Sequence, residues 1–339
     1  MDFSSPYRVA WHAPPPVNVH TASRSAVLGA LEYEFPTTKR RIANRTGLGD
    51  TTVRRACRQL VREKVAALQY GRDPDNGNSC DLVTFARYPV LPVLEITDAY
   101  MVWRLCDTRG GSVFATVRDR GGFCTPEDDL TILMGRVSSI LGAGTSGLPA
   151  TVPLQAPVLL MDTHHPLPIS LVRRAIDAEP AFVLTPEAAA ANELRYHPAT
   201  RDASAILYIR IGEACTASLL QRADLDQPDA PFRPSPWTSG LNLELIDRLK
   251  DLKPHTRAQW SRIAEFLADC CRFIFPHCVV LETDSPVTDV KLIRNALPSE
   301  VKLLCLDYAL NSPSLAHKGA LRLTRRALWE SMESESPEA

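Results

Sequence analysis

The sequence predicts an α/β protein headed by a small helical unit that ends in a two-stranded hairpin. Three observations predict it. Residues 21–64 carry helical apolar spacing in three successive stretches, and two strand-like stretches around a turn-rich loop follow. Beyond "RYPVLP", strand-like and helix-like runs interleave almost to the end of the chain. At 339 residues, 45% hydrophobic and 23% charged, the chain has the length for two or three domains and the composition of a soluble globular protein.

Taken in order, residues 1–20 hold four prolines and no periodicity, which predicts a flexible arm. Val27, Leu28, Leu31 and Phe35 then fall at i, i+1, i+4 and i+8 and give one apolar face, with Pro36 stopping the helix. Thr38 is the expected cap of a second helix whose inward residues are Ile42 and Ala43. Gly47 turns the chain, and a third helix is expected from an Asp50 cap to about Lys64. "VAALQYG" and "CDLVTFA" read as strands flanking residues 72–79, "RDPDNGNS", a loop of turn residues. In the remainder, "VLEITDAYMVWRLCDTRGGSVFATVRD" alternates like strands with Arg109-Gly110-Gly111 as a hairpin turn. Helices are expected at about 126–141, 169–177, from Pro186, and at 257–272, 286–296 and 317–330. Strands are expected at "PVLLMD", "AFVL", "AILYIRIGEACTASLL" (a pair), 278–283 and 301–306. Residues 222–240 read as a Pro/Asp-rich loop, 331–339 as a frayed acidic end, and no internal repeat of fixed period is visible.

Charge narrows the function. The chain as a whole carries −1, yet residues 39–64 hold nine Lys/Arg against Asp50 and Glu63, a local excess of +7. Thr51, Arg54, Arg55, Arg58 and Arg62 lie at i, i+3, i+4, i+7 and i+11, one stripe of the third helix. Val53, Ala56, Cys57, Leu60 and Val61 take the opposite stripe and are expected to pack on the two preceding helices. A solvated charged face usually mixes signs to gain i,i+4 pairs, and this one does not. Self-repulsion on such a face is relieved by a polyanion, and a glycine-turned helix pair followed by a hairpin is the order of a winged helix-turn-helix. Double-stranded DNA is therefore the expected partner. Thr51, Arg54 and Arg55 are placed to read bases, arginine gripping guanine bidentately, with Thr52 beside them in the DNA-binding set. Lys39, Arg40, Arg58 and Arg62 are placed for phosphates, and Arg72 for a neighbouring groove or backbone.

Other chemistries find little support. Nine cysteines without C-x-x-C spacing, several inside apolar runs, read as buried reduced thiols rather than a zinc site or disulfide framework. His164-His165 has no third ligand at metal-like spacing, and "GAGTSG" lacks the lysine of a phosphate loop. No metal, cofactor or catalytic residue is expected. Without a secretory start or an apolar run near ~20 residues, a cytoplasmic protein free of membrane is expected.

"FPTTKRRIANRTGLGDTTVRRACRQLVREKV" resembles the winged helix of ROK family repressors, with its "TGLS"-type turn, "TV" and "reL" stretch. Gly49 stands where a capping serine is usual in that family, and Lys64 where a glycine usually precedes the wing. Further on, "VLEITDAYMVWRLCDTRGG", "EPAFVLTPEAAAANELRY" and "AILYIRIGEACTASLL" are similar to the family's opening hairpin, its strand and Ala-rich helix, and its second phosphate hairpin. The resemblance implies a C-terminal actin-like ATPase/ribonuclease H-like domain of two α/β lobes. It also implies departures from kinase chemistry. The first phosphate turn reads Thr97-Asp98-Ala99 instead of glycines, and the general-base position falls on Thr185 in Leu184-Thr185-Pro186-Glu187. Glu213-Ala214-Cys215 follow Gly212 in the second phosphate hairpin, and the sugar and zinc motif has no counterpart. Asp98 and Glu187 are read as turn and capping residues rather than bases.

The expected organisation is an arm (1–20), a winged helix-turn-helix (21–88), a degenerate ROK sugar-kinase-like domain (91–330) and an acidic tail (331–339). The expected function is a DNA-binding transcriptional regulator acting as a homodimer. Its inactive large domain would dimerise the chain and sense a small sugar-like effector. An active sugar kinase, and a regulator whose large domain only dimerises, stand as alternatives; repression against activation stays open.

Overall fold

The computed structural model describes residues 19–87, 90–120, 124–142, 157–161, 167–212, 216–224, 230–235, 256–283, 290–307 and 313–334. The expected arm up to residue 18, "GAGTSG" beyond Gly142, His164 with His165, and Glu213, Ala214 and Cys215 lie outside that set. So do most of the 222–240 loop and the last five residues. The chain divides into two compact units, Met1–Ala86 and Arg87–Ala339.

The first unit runs α1 (Val19–Tyr33), α2 (Lys39–Thr46), α3 (Asp50–Arg62), then the antiparallel pair β1 (Ala66–Arg72) and β2 (Ser79–Phe85). Helix α2 starts where Thr38 is extended and its Oγ1 accepts the Arg41 N–H at 3.2 Å. It stops at Gly47, whose φ of 69° is a conformation glycine takes without steric cost. Gly49, not the expected Asp50, is the cap of α3, and it supplies no side-chain bond. Asp50 is instead the first helical residue, where a carboxylate meets the positive end of the helix dipole. Val27, Leu28 and Leu31 of α1, Ile42 of α2 and Val53, Cys57 and Leu60 of α3 are buried, and the three helices touch pairwise. Burial of each such aliphatic side chain contributes about 1.5–3 kcal/mol. Thr37 exchanges backbone hydrogen bonds with Val83 at 2.9 and 2.7 Å, so the α1–α2 link is pinned to β2. Lys64, just before β1, is forced to φ 60°.

The second unit holds two five-stranded mixed sheets. The first is built from β3 (Leu91–Ile96), β4 (Tyr100–Cys106), β5 (Ser112–Asp119), β6 (Val158–Met161) and β7 (Phe182–Leu184), in the order β5-β4-β3-β6-β7. The second uses β8 (Ala205–Ile211), β9 (Thr216–Arg222), β10 (Phe232–Pro234), β11 (Cys278–Thr283) and β12 (Lys302–Asp307), in the order β10-β9-β8-β11-β12. In each sheet the first three strands form an antiparallel meander and the last two add in parallel beside the first. The fold therefore repeats although the sequence shows no repeat: topology and apolar parity are kept while the residues differ. Strand β10 falls inside the segment expected to be loop; its prolines masked a three-residue edge strand, the place where proline is tolerated.

Among the described residues five helices position these sheets: α4 (Pro126–Gly142), α5 (Ile169–Ile176), α6 (Pro186–Leu194), α7 (Arg257–Ile274) and α8 (Val290–Ala296). A sixth, α9 (Leu315–Ser334), continues into the segment expected to be an acidic tail. Leu130, Leu133 and Val137 of α4 and Val172 of α5 cover one face of the first sheet. Trp260, Ile263 and Leu267 of α7 and Ile293 of α8 cover one face of the second. Between the sheets lie α6 and α9. Ala189 packs with Ala316, Ala320 and Leu321 on the first sheet, and Ala190, Ala191 and Leu194 pack on the second. The Ala-rich composition of α6 follows from that middle position, since a larger side chain has sheet or helix on every side. At Gly319 of α9 an added Cβ would lie 1.7 Å from the Ala189 carbonyl oxygen, which marks where the two helices approach backbone to backbone.

Candidate nucleic-acid interface

Every arginine of the α3 stripe is at the surface. Thr51, Thr52, Arg54, Arg55, Arg58 and Arg62 are exposed, while Val53, Ala56, Cys57 and Leu60 are buried and Val61 is half-buried. Burial pushes the Cys57 thiol up to about 11, with Lys39 acting against it, so a neutral thiol lies behind the charged face. Among the described residues none of the four stripe arginines pairs with a carboxylate; Arg58 folds back to donate from Nε to the Arg54 carbonyl at 3.3 Å. The nearby acid, Glu63, is taken by Arg24 of α1 at 2.9 Å and by Gln59 at 3.0 Å. Arg40 is exposed, Lys39 half-buried at the start of α2, and Arg72 exposed at the end of β1, opposite Ser79.

Two other cations of the basic run are already engaged. Arg45 stacks over the Tyr33 ring at 3.8 Å. Arg41 holds Asp75 through Nε and Nη2 at 3.0 and 2.6 Å, and also Glu34. These contacts raise the Arg41 pKa above its ordinary value and lower that of Asp75, the hydrogen bond between them being the largest cause of each shift. On β1, Tyr70 is 75% exposed and Leu68 48%, an uncovered apolar edge beside Arg72.

Two of the positions singled out in the second unit, Thr97 and Thr185, have structural partners. Thr97 closes its own turn: its N–H and its Oγ1 both donate to the Tyr100 carbonyl at 2.9 Å, and the Tyr100 N–H donates to Oγ1 at 3.0 Å. Thr185 caps α6, its Oγ1 accepting the Ala188 N–H at 3.2 Å. None of the described cysteines forms a disulfide; Cys57, Cys106, Cys270, Cys271 and Cys278 are buried, Cys80 and Cys305 half-buried, and Cys124 is exposed, which departs from the expectation of buried thiols.

A buried ionic network escaped the sequence reading. Arg210, near the end of β8, donates from Nη1 to Glu95 of β3 at 2.6 Å and from Nη2 to the Tyr100 hydroxyl at 2.5 Å. Glu282, near the end of β11, accepts from the Tyr208 hydroxyl at 2.7 Å and from the Leu315 N–H at 2.6 Å. His317 of α9 lies 3.5 Å from Glu95, and Ser314 is hydrogen-bonded to its Nδ1 at 2.8 Å. Burial opposes the charge on Glu95, yet Arg210, with smaller help from its neighbours, keeps the carboxyl below its ordinary range. Burial raises Glu282 and holds the His317 imidazole neutral down to about 4. Glu95, Arg210 and Glu282 follow the parity of the apolar residues that face α6 and α9. They lie at the carboxyl ends of parallel-paired strands, where open α/β sheets commonly take ligands. Here that position is filled by the protein's own ion pair, which ties the central strands of both sheets together.

Among the described residues no group of three His, Cys, Asp or Glu is arranged to hold a metal, and no helix is long and apolar enough to cross a membrane. No protein-family model matches the sequence, and no curated protein does. Solved structures do. A ROK family transcriptional regulator, a homologue of the E. coli MLC protein, aligns with a TM-score of 0.51 at 11% identity over 90% of this chain and 99% of its own. A polyphosphate/ATP-glucomannokinase from Arthrobacter sp. strain KM aligns at 0.48 and 11% identity, over 71% of this chain and 100% of its own. A ROK glucokinase from Streptomyces griseus aligns at 0.44 and 13%, over 70% and 99%. Of these three only the regulator passes one half, and its likeness spans nearly the whole of both chains. With its two mixed five-stranded sheets around a pair of middle helices, this chain shares the fold of that regulator.

Proposed function

We propose that the chain is a cytoplasmic, ROK-type transcriptional regulator whose N-terminal unit is a winged helix-turn-helix that binds double-stranded DNA. The observation that carries this reading is the face of α3: four exposed arginines without a carboxylate partner among the described residues, backed by a neutral, buried face. On this reading α3 enters the major groove, Thr51, Thr52, Arg54 and Arg55 face base edges, and Arg58, Arg62, Lys39 and Arg40 meet phosphates. Arg72 reaches the flanking backbone from the wing. One such unit covers too little DNA for tight specific binding, so the protein acts as a homodimer on an inverted repeat. The second unit is a catalytically inactive body that dimerises the chain and responds to a sugar-like effector. The inactivity is supported by the self-closed Thr97 turn, the capping role of Thr185 and the Glu95–Arg210 pair at the strand ends.

Binding curves on a selected operator and on scrambled DNA, at stated salt, test it. Arg54→Ala or Arg55→Ala should cost about 1–3 kcal/mol on the operator and relax preference at one position. Arg58→Ala should weaken both DNAs alike and lower the salt slope by about one. Equal losses on both DNAs for all three variants would sink the assignment. Titration calorimetry with ATP and magnesium checks the second unit; micromolar affinity would favour an active kinase instead.

A further inference from the structure

The loop between β1 and β2 is built to be rigid, and one side chain outside it decides where it sits. Within the loop, Asp73 N–H donates to the Asn78 carbonyl at 2.7 Å and Gly77 N–H to the Asp73 carbonyl at 2.8 Å. Asp75 N–H donates to Asp73 Oδ1 and Asn78 N–H to Asn76 Oδ1, both at 2.9 Å. These bonds fix the loop's shape but not its attachment to the helices. The attachment runs through Arg41 of α2, whose guanidinium grips Asp75 with two nitrogens and Glu34 of the α1–α2 link with the third. Arg41 is therefore spent on protein carboxylates although it lies inside the most basic stretch of the chain, between Arg40 and Arg45.

We infer that Arg41 is a positioning residue for DNA recognition, not a DNA contact. It latches the hairpin loop to α2 so that exposed Tyr70 and Arg72 on β1 engage the DNA backbone beside the groove that α3 occupies. The inference rests on the DNA-binding reading above and assigns, within it, a division of labour among the cations. The physical reason is preorganisation. The Thr37–Val83 bonds already hold the base of the hairpin, but a loop tip free to move must be ordered when it meets DNA, and that ordering is subtracted from the binding free energy. A planar guanidinium bridging two carboxylates holds a fixed direction as well as a charge, which a lysine at the same place would not. The latch also removes the field of Asp75 from a surface that must approach phosphates.

The test is the full-length double variant Arg41→Gln/Asp75→Asn. It deletes the latch while leaving the summed charge of the pair at zero, so electrostatic attraction to DNA stays as in the wild type. Operator affinity is expected to fall roughly two- to fivefold, the range of an exposed ion pair. Hydroxyl-radical protection should vanish from the flanking backbone but persist where α3 binds. In the DNA-free protein, amide exchange at residues 73–78 should quicken. A double variant with wild-type affinity and an unchanged footprint overturns the proposal, and so does loop exchange that stays as slow as in the wild type. A wild-type protein that binds no DNA, selected or scrambled, overturns the DNA reading and the latch's use with it; loop exchange then still reports whether the latch holds the hairpin.

Discussion

Replacing Gly319 with alanine adds one methyl group, and the structure makes that methyl expensive. Its carbon would lie 1.7 Å from the Ala189 carbonyl oxygen, 2.6 Å from the carbonyl carbon and 3.2 Å from the Glu193 nitrogen. All three neighbours are backbone atoms of α6, so no rotamer change relieves the clash, and α9 must withdraw by more than about 1 Å. That movement strains the bond from Asn192 Nδ2 to the Gly319 carbonyl at 2.9 Å and the Arg322–Glu193 ion pair one turn on. Overpacking of this kind costs about 1–3 kcal/mol, and more where backbone must move. Alanine's better helix propensity returns about 1 kcal/mol. At the upper end of that range the net loss is about 2 kcal/mol, which for a unit of some 250 residues lowers Tm by roughly 4–8 °C. Calorimetry on the full chain reads it directly. Gly135→Ala is the control: Gly135 is also a helical residue of the second unit, but nothing lies within 4 Å of its would-be Cβ. The control should gain up to about 1 kcal/mol. A Gly319→Ala protein as stable as the wild type would refute the close approach of α6 and α9.

Three further outcomes are expected. Arg210→Met leaves Glu95 buried without its main partner and should cost about 3–5 kcal/mol in chemical denaturation, while Arg210→Met with Glu95→Met should recover most of the loss. Lys64→Gly relieves a left-handed residue and should stabilise the first unit by about 1 kcal/mol, read as a higher urea midpoint; a lower midpoint would contradict the backbone geometry. His317 is neutral in the fold down to about 4, whereas in the unfolded chain it protonates near its ordinary ~6.5. Between those values the unfolded chain binds the extra proton, so acid lowers stability there, and as pH drops stability should fall less steeply in His317→Gln than in the wild type.

Periodicity made the helices legible, because a stripe such as Val53, Ala56, Cys57 and Leu60 has one geometric meaning. The strands were legible for a related reason: β3, β8 and β11 are long apolar runs that only a buried sheet accommodates. The capping error at Asp50 came from composition, since an aspartate beside a glycine reads as the better cap, whereas the backbone turns into the helix one residue earlier. The ionic network was missed although it left a trace. Each of "LPVLEI", "AILYIRI" and "CVVLET" carries one charged residue, always next to the last position. Three apolar strands sharing that blemish point to a common charged layer, but which residue meets which depends on sheet order, and that is set by contacts remote in sequence. Arg41 shows the opposite limit: its charge was plain in the sequence, but its partner lies 34 residues away on a loop.

The matching strand order of the two sheets has a consequence for how such a molecule can diverge. Strands β3 and β8 hold equivalent places, and the residues that meet between them, Glu95 and Arg210, sit near the same end of each. In a perfectly duplicated protein those positions would carry the same residue, and each half would confront its own likeness: carboxylate against carboxylate, or guanidinium against guanidinium. Such a pairing sets like charges against each other in a dry interior, which protonation relieves only for carboxyl groups. Opposite charges make the halves non-interchangeable, as a plug and socket are, so neither sheet can be swapped for a copy of the other.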